Sequence, residues 1–214
     1  MNAVSMALCA GFLGLGVFLG YSLAPELRGE GSPDFASALG EEDLLLRAGM
    51  FSDSLVGMNS ENLEDFLGKL QEGRVGITDQ ELRVFMLAWA RFDAPGAFAW
   101  AKSQSSDWNA RLRQAATYAW GFSDPQAARV AVEASPKAGT KRSPLSSQLM
   151  AGWRASGDVA GITAHLISMP NSRERETMTT GLLAQIGKES TDAVIAWTNA
   201  IPQDAEGGFK RVAF

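Results

Sequence analysis

The chain has almost none of the residue types that build metal sites, disulfide frameworks or nucleophilic triads. Its 214 residues include one cysteine, Cys9, and one histidine, His165. A single cysteine forms no disulfide or thiolate metal site within one chain. A zinc site needs several ligands, and Asp158 is the only acid on the helix predicted to carry His165. The sequence also lacks a Gly-x-Ser-x-Gly elbow and a phosphate-binding glycine loop. We therefore expect no enzymatic activity, no cofactor and no bound metal.

The charge balance is mildly acidic, with a formal net charge of −5. Domains that bind nucleic acids are usually basic, so we expect no nucleic-acid partner. The acidic excess lies in residues 24–75, whereas the remainder of the chain is close to neutral. This asymmetry is typical of a polar spacer that precedes a folded part.

The first 23 residues contain no charged side chain and are mostly apolar. About 20 apolar residues are enough for a helix to cross a bilayer, so we predict a transmembrane anchor over residues 1–23. The alternative is a signal peptide that is cleaved near Ser22-Leu23-Ala24, which would release a soluble exported protein. Gly16 and Gly20 form a G-x-x-x-G pattern, which would allow a weak homodimer through the membrane helices.

Residues 24–40 are rich in glycine, proline, serine and acids, which predicts a flexible or extended linker. Glu41-Glu42-Asp43 then precede a run of leucines, and acids at this point favour the start of a helix. We therefore predict an α-helical domain over residues 41–214.

This domain contains an internal repeat with a period of 31 to 33 residues. Its anchor positions are Met58, Trp89, Trp120, Trp153 and Ile186. The residue before the anchor is small in four of the five units, and apolar residues precede each anchor at helical spacing. Each unit therefore predicts a first helix with one apolar stripe and room for a close helix contact beside the anchor.

A corner with capping side chains follows each anchor and opens a second helix. The predicted caps are Asn59-Ser60, Asp93, Asp124, Gly157-Asp158 and Thr191-Asp192. The predicted second helices are Leu63–Leu70, Ala94–Ser103, Pro125–Ala134, Val159–Ser168 and Ala193–Ala200. Thr78-Asp79-Gln80-Glu81 and Asn171-Ser172-Arg173-Glu174 match the capping-box pattern at the start of two first helices.

The period, the helix–turn–helix unit and the aromatic anchor resemble tetratricopeptide-like α-solenoids. The W-x-x-x-D-P-x-A-A corner at Trp120–Ala128 is more closely similar to that of uncharacterised bacterial envelope proteins with short Trp/Asp-Pro helical repeats. The resemblance, which covers about Leu44–Phe214, implies an all-α fold: a right-handed α-solenoid of about five helical hairpins, which here would follow the predicted N-terminal transmembrane helix. It also implies partner binding without specific chemistry.

Two features are candidates for contact with a partner. Trp108 breaks the repeat period at the start of a first helix, and exposed tryptophan is favoured at binding surfaces. We therefore expect Trp108 to be the aromatic residue most exposed to solvent. The basic loop residues Lys137, Lys141 and Arg142 are suited to anionic partners or lipid headgroups; the alternative is an ordinary solvated loop.

These observations predict a single-pass protein of a bacterial inner membrane, with most of the chain in the periplasm. Its expected role is a scaffold for protein–protein interaction, and its expected partner is another protein. The alternative is an exported soluble repeat module, released by signal cleavage, that binds a peptide or a polysaccharide.

Overall fold

The computed structural model describes residues 34–104, 107–134 and 144–201. These residues form ten helices and no strand: α1 Phe35–Gly40, α2 Leu44–Ser54, α3 Leu63–Glu72, α4 Asp79–Ser103, α5 Asp107–Ser123, α6 Pro125–Glu133, α7 Pro144–Ala155, α8 Val159–Ser168, α9 Arg173–Ile186 and α10 Thr191–Ala200. The predicted all-α class is confirmed.

Within those ranges, no helix combines the length and the apolar character that a membrane crossing requires. The predicted anchor, residues 1–23, lies outside the described residues.

The helices alternate as the repeat predicts, with a kink inside α4. Asp93 leaves the helical conformation at φ −154° and ψ 74°. Its side chain accepts a hydrogen bond of 2.8 Å from the backbone N–H of Gly96, so Asp93 acts as the N-cap of the second half of α4. Pro95 lies in the first turn of that half, where a missing N–H costs little. The predicted break between a first and a second helix is therefore present at this kink.

Most of the predicted caps are present. Asp124 accepts a bond from the backbone N–H of Ala127, and Asp158 from that of Gly161. Thr78 and Glu81 form the predicted capping box at the start of α4.

Three caps differ from the prediction. Ser190, rather than Thr191-Asp192, caps α10, and Ser172, rather than Asn171, caps α9. In both cases the serine is the last extended residue, so its hydroxyl reaches the N–H three residues on. Asn59 accepts from the backbone N–H of Glu61 and so stabilises a turn ahead of α3 instead of capping it.

The end of the predicted linker is helical. Residues 35–40 form α1, and Phe35 is only 2% exposed. Its ring lies 5.1 Å from the ring of Phe51, 5.4 Å from Phe66 and 5.8 Å from Phe85. Burial of one large aromatic side chain thus outweighs a local composition that favours an extended spacer. The remainder of that linker, residues 24–33, lies outside the described residues.

All five anchors are buried, with exposed fractions between 0% for Trp153 and 8% for Trp120. Met58 follows the end of α2 instead of lying within it, whereas the other four anchors lie inside helices. The buried apolar side chains form two groups, one from Phe35 to Leu149 and one from Met150 to Ile201. Helix α7 contributes to both groups.

Several side-chain bonds join residues that are about one repeat apart. The Arg47 guanidinium forms an ion pair with Glu81, with Nε 2.5 Å from Oε1 and both side chains largely buried. Arg91 donates to the carbonyl oxygen of Leu55 at 2.8 Å. Further along the chain, the Gln185 side chain donates a hydrogen bond of 2.8 Å to the carbonyl oxygen of Arg154. The Trp197 indole N–H donates another, also of 2.8 Å, to the Thr163 hydroxyl.

Glycine permits a close helix contact between α5 and α7. A Cβ atom at Gly152, the residue before the Trp153 anchor, would collide with the carbonyl oxygen of Tyr118 and lie 3.0 Å from the backbone nitrogen of Phe122. A Cβ at Gly121 would lie 2.5 Å from the carbonyl oxygen of Leu149. The predicted close contact beside the anchor is thus present at this interface.

We expect Gly152→Ala to lower the free energy of unfolding by about 1–3 kcal/mol, because the added methyl group forces two backbones apart. Gly57→Ala is the matched control: Gly57 also precedes an anchor, but a Cβ there meets nothing within 4 Å. Thermal unfolding of the full-length protein, followed by circular dichroism in one detergent, measures both. Equal melting temperatures for the two variants would contradict this packing.

Candidate functional site

A wide, open groove lies between α7 and α9 on the described surface. Its volume is about 620 Å³. The residues that line it are Arg154, Arg173, Glu176, Thr177, Thr180, Gly181 and Ala184. All of them except Arg154 belong to α9, so one side of the groove is almost a single helix face.

The position of Arg154 follows from local packing. Arg154 immediately follows the buried Trp153, so its side chain leaves α7 next to the core instead of in it. Its carbonyl oxygen accepts a hydrogen bond from the Gln185 side chain, which holds α7 against α9. A Cβ at Gly181 would lie 2.5 Å from the terminal nitrogen Nη1 of Arg154. Glycine at 181 therefore lets the guanidinium lie close to the backbone of α9.

The hydrogen-bond donors of the groove come from its two arginines. In the described part of the chain, neither Arg154 nor Arg173 forms a side-chain hydrogen bond or ion pair. The hydroxyl groups of Thr177 and Thr180 already donate to the carbonyl oxygens four residues earlier in α9. With Glu176 as the one acid, the groove is net positive and suits a ligand group that is rich in acceptors, such as a carboxylate.

The groove contains no arrangement for catalysis. It has no nucleophile next to a general base, and among the described residues no cluster of three or more His, Cys, Asp or Glu side chains has the spacing of a metal site. The expected absence of a cofactor and of enzymatic activity remains a prediction.

His165 is half-buried and packs beside the Trp153 anchor instead of lining the groove. Its ring lies 5.4 Å from the ring of Trp153, whose indole N–H donates to Asp158 at 2.9 Å. The same carboxylate caps α8, so Asp158 joins the anchor to the second helix. Burial, followed by the positive charge of Arg129, lowers the pKa of His165, although Glu133 and Glu174 oppose this shift.

Trp108 is less exposed than the sequence suggests. Its side chain is partly buried against the core, and its buried indole nitrogen has no hydrogen-bond partner among the described residues. The guanidinium of Arg111 lies 5.3 Å from the centre of the Trp108 ring. It also donates hydrogen bonds to the Asp79 carboxylate and to the carbonyl oxygen of Ile77. The expectation of an exposed Trp108 is therefore wrong, because Arg111 covers the ring as it reaches the preceding hairpin.

Other aromatic rings are exposed in its place. Phe92 is 38% exposed and Phe122 is 43% exposed, each close behind a tryptophan anchor. Contact of Trp108 with a partner stays a prediction. The other three candidates, Lys137, Lys141 and Arg142, lie outside the described residues.

Sequence reasoning missed the groove. The one signal in the sequence was Arg154, which directly follows the Trp153 anchor. An arginine on a helix is common at a solvated surface and does not by itself indicate a site. Arg154 and Arg173 are 19 positions apart in the chain. Their proximity depends on how α7 packs against α9, and no local pattern encodes that packing.

The described residues define the class of this protein: an all-α chain of successive helix pairs with one buried anchor per pair. Comparison of the chain with protein-family models, with curated proteins and with solved structures finds no match.

The lowered pKa of His165 predicts a pH-dependent stability. The native protein binds the proton of His165 less tightly than the unfolded chain does, so stability is full above the ordinary histidine pKa of about 6.5. It is lost as the pH falls below that value and through the lower native pKa. We expect the free energy of unfolding to decrease between about pH 7.5 and about pH 5.5.

His165→Gln should remove that decrease in the free energy of unfolding. Carboxylates do not cause it, because their stabilising interactions are lost only at lower pH, where they become protonated. The pKa of Glu81, for example, is below its ordinary value, because bonds from Arg47 and Thr78 outweigh the effect of burial. Urea titrations of both proteins across this range provide the measurement. The same slope with and without His165 would show that another group titrates.

Proposed function

We propose that this protein is a membrane-anchored helical-repeat scaffold for protein–protein interaction in a bacterial envelope. In this proposal the five helix pairs from α2 to α10 stack as hairpins into a right-handed α-solenoid, and residues 1–23 tether the array to the inner membrane. The array lies in the periplasm and performs no catalysis.

The observation that supports the array best is the spacing of its long-range side-chain bonds. Arg47 and Glu81 are 34 residues apart, and Arg91 and Leu55 are 36 apart. Gln185 and Arg154 are 31 apart. These separations are close to the period of 31 to 33 residues, which is what nearest-neighbour stacking of equivalent units produces. A single hairpin of this size cannot bury its own apolar stripe, so stacking supplies the core.

The groove between α7 and α9 is the surface that we assign to the partner. Its two arginines present guanidinium groups that form no side-chain bond within the described residues, and such groups pair in a bidentate manner with carboxylates. An extended acidic segment of another protein is therefore the ligand class that this groove suits. Trp108, Lys137, Lys141 and Arg142 remain predicted contacts for the same partner or for lipid headgroups.

Fractionation separates the anchored protein from the alternative of a cleaved, exported module. We expect the full-length chain to sediment with membranes and to stay there through a wash with high salt, because an apolar helix is insensitive to ionic strength. The measurement is an immunoblot of pellet and supernatant, together with the mass of the mature chain. A shortened protein in the soluble periplasmic fraction would instead support the exported module.

A pulldown tests the scaffold function. The full-length protein is captured from native membranes in mild detergent, next to an Arg154→Ala/Arg173→Ala variant and the control Arg74→Ala, an exposed arginine outside the groove. We expect the groove variant to retain a partner at least about tenfold less well than the control, since a hydrogen bond to a charged group contributes about 1.5–3 kcal/mol. Equal retention by both variants would exclude the groove, and absence of any specific partner would count against the scaffold.

A further inference from the structure

The groove between α7 and α9 lies where the contact between first helices departs from the one before it. In the contact of α5 with α7, glycine follows the first anchor at Gly121 and precedes the second anchor at Gly152. A Cβ at either position would collide with the backbone of the neighbouring helix. The corresponding positions in the contact of α7 with α9 are Arg154 and Gln185. Two long polar side chains therefore stand where the preceding contact requires glycine, and the groove opens at Arg154.

The charged side chains of the groove alternate in sign along α9. Arg173 is the first residue of this helix, and Glu176 follows it about 4.5 Å further along the helix axis. The Nη1 atom of Arg154 lies beside Gly181, 2.5 Å from the position of a Cβ there. Gly181 is about 12 Å from Arg173 along the axis. The groove therefore presents a positive, a negative and a second positive group in that order.

These three charges are available to a ligand. In the part of the chain that the structure describes, the side chains of Arg154, Arg173 and Glu176 form no ion pair and no hydrogen bond. Arg173 and Glu176 are exposed, and Arg154 is half-buried with its side chain in the groove. The hydroxyl groups of Thr177 and Thr180 donate within α9, so their oxygen atoms can still accept a hydrogen bond from a backbone N–H of the ligand.

An extended polypeptide segment matches the spacing of these charges. Successive residues of an extended chain rise by about 3.3 Å, so residues four positions apart are about 13 Å apart and project to the same side. Two acids at this spacing therefore reach Arg173 and Arg154 together. In a helical ligand the same two acids would be only about 6 Å apart, which is too short.

The centre of such a segment lies close to Glu176. The residue midway between the two acids projects to the same side as they do. A lysine or an arginine at this position forms an ion pair with Glu176, whereas a third acid is repelled by it. The alternating charges of the groove thus select the opposite alternation in the ligand.

We propose that the groove binds an extended segment of another protein with the pattern acid-x-base-x-acid, in which the outer acids pair with Arg173 and Arg154 and the central base pairs with Glu176. This inference rests on the proposed scaffold function and adds to it the class of sequence that the scaffold recognises.

Synthetic peptides test the spacing of the acids. One peptide contains Glu-x-Lys-x-Glu in a serine–glycine background, and a second has the same composition with its two glutamates adjacent. Both carry the same uncharged dye, and their binding to the full-length protein in detergent micelles is measured by fluorescence anisotropy. We expect the first peptide to bind at least about tenfold more tightly, because adjacent acids reach only one arginine. Arg74→Ala, outside the groove, should keep this ratio, and Arg173→Ala should abolish it.

A charge swap tests the central contact. The native protein should prefer Glu-x-Lys-x-Glu over Glu-x-Glu-x-Glu by about fivefold, as expected for an exposed ion pair. Attraction to the net positive groove alone would favour the peptide with three acids instead. Glu176→Lys should reverse the native preference, whereas a purely structural role of Glu176 would weaken both peptides equally. Glu72→Lys, at an exposed acid outside the groove, is the matched control and should leave the preference unchanged.

Two results would overturn the inference. Equal affinity for the peptides with separated and adjacent acids would show that the two arginines do not bind separate carboxylates. A native preference for three acids, or the same preference with and without Glu176→Lys, would show that Glu176 does not contact the segment.

Failure of the scaffold function gives a different result. If no peptide binds but Arg154→Ala/Arg173→Ala loses its partner in the pulldown, the pattern is wrong and the scaffold function stands. If the peptides bind as expected but the pulldown retains no partner, the pattern is supported and the scaffold function is not.

Discussion

Burial of one large anchor side chain per helix pair is the constraint on which this structure depends. The anchor rings contact both their own pair and a neighbouring one: Trp89 lies 5.6 Å from Trp100 of the same pair, whereas Trp120 lies 5.5 Å from Phe98 of the preceding pair. The five anchors are all buried, and their neighbours in the chain are small where helices approach most closely. Replacement of a buried aromatic side chain by alanine typically costs about 3–5 kcal/mol. Loss of one anchor would therefore remove a large part of the stability of a domain of this size.

Polar contacts set the register between these pairs. The ion pair of Arg47 and Glu81 is largely removed from solvent, and each partner has further bonds, to backbone carbonyls for Arg47 and to Thr78 for Glu81. Such a pair adds little net stability compared with an apolar contact, yet loss of one partner alone leaves a buried charge and costs about 3–5 kcal/mol. It therefore penalises any other packing of α2 on α4. The ion pair of Arg111 and Asp79 also joins two helices, α5 and α4. Because both side chains are exposed, this pair favours one packing of the two helices less strongly.

The chemistry of the groove between α7 and α9 is set by its two arginines. Arg154 comes from α7 and Arg173 from α9, and Glu176 is the one acid among the lining residues. In the proposed scaffold, this net positive surface is the one that we assign to an anionic segment of another protein.

The sequence by itself determined the helices and most of their boundaries, because hydrophobic period and capping chemistry act within a few residues. It also identified the anchors, and all five are buried. Only the tertiary structure decided the burial of Phe35 in the predicted linker, the packing of Arg111 over Trp108 and the placement of Arg154 and Arg173 in one groove. Each of these depends on which helices become neighbours. Neighbours are selected by the fit of whole faces, as at Gly152 and Tyr118, and that fit involves residues far apart in the chain.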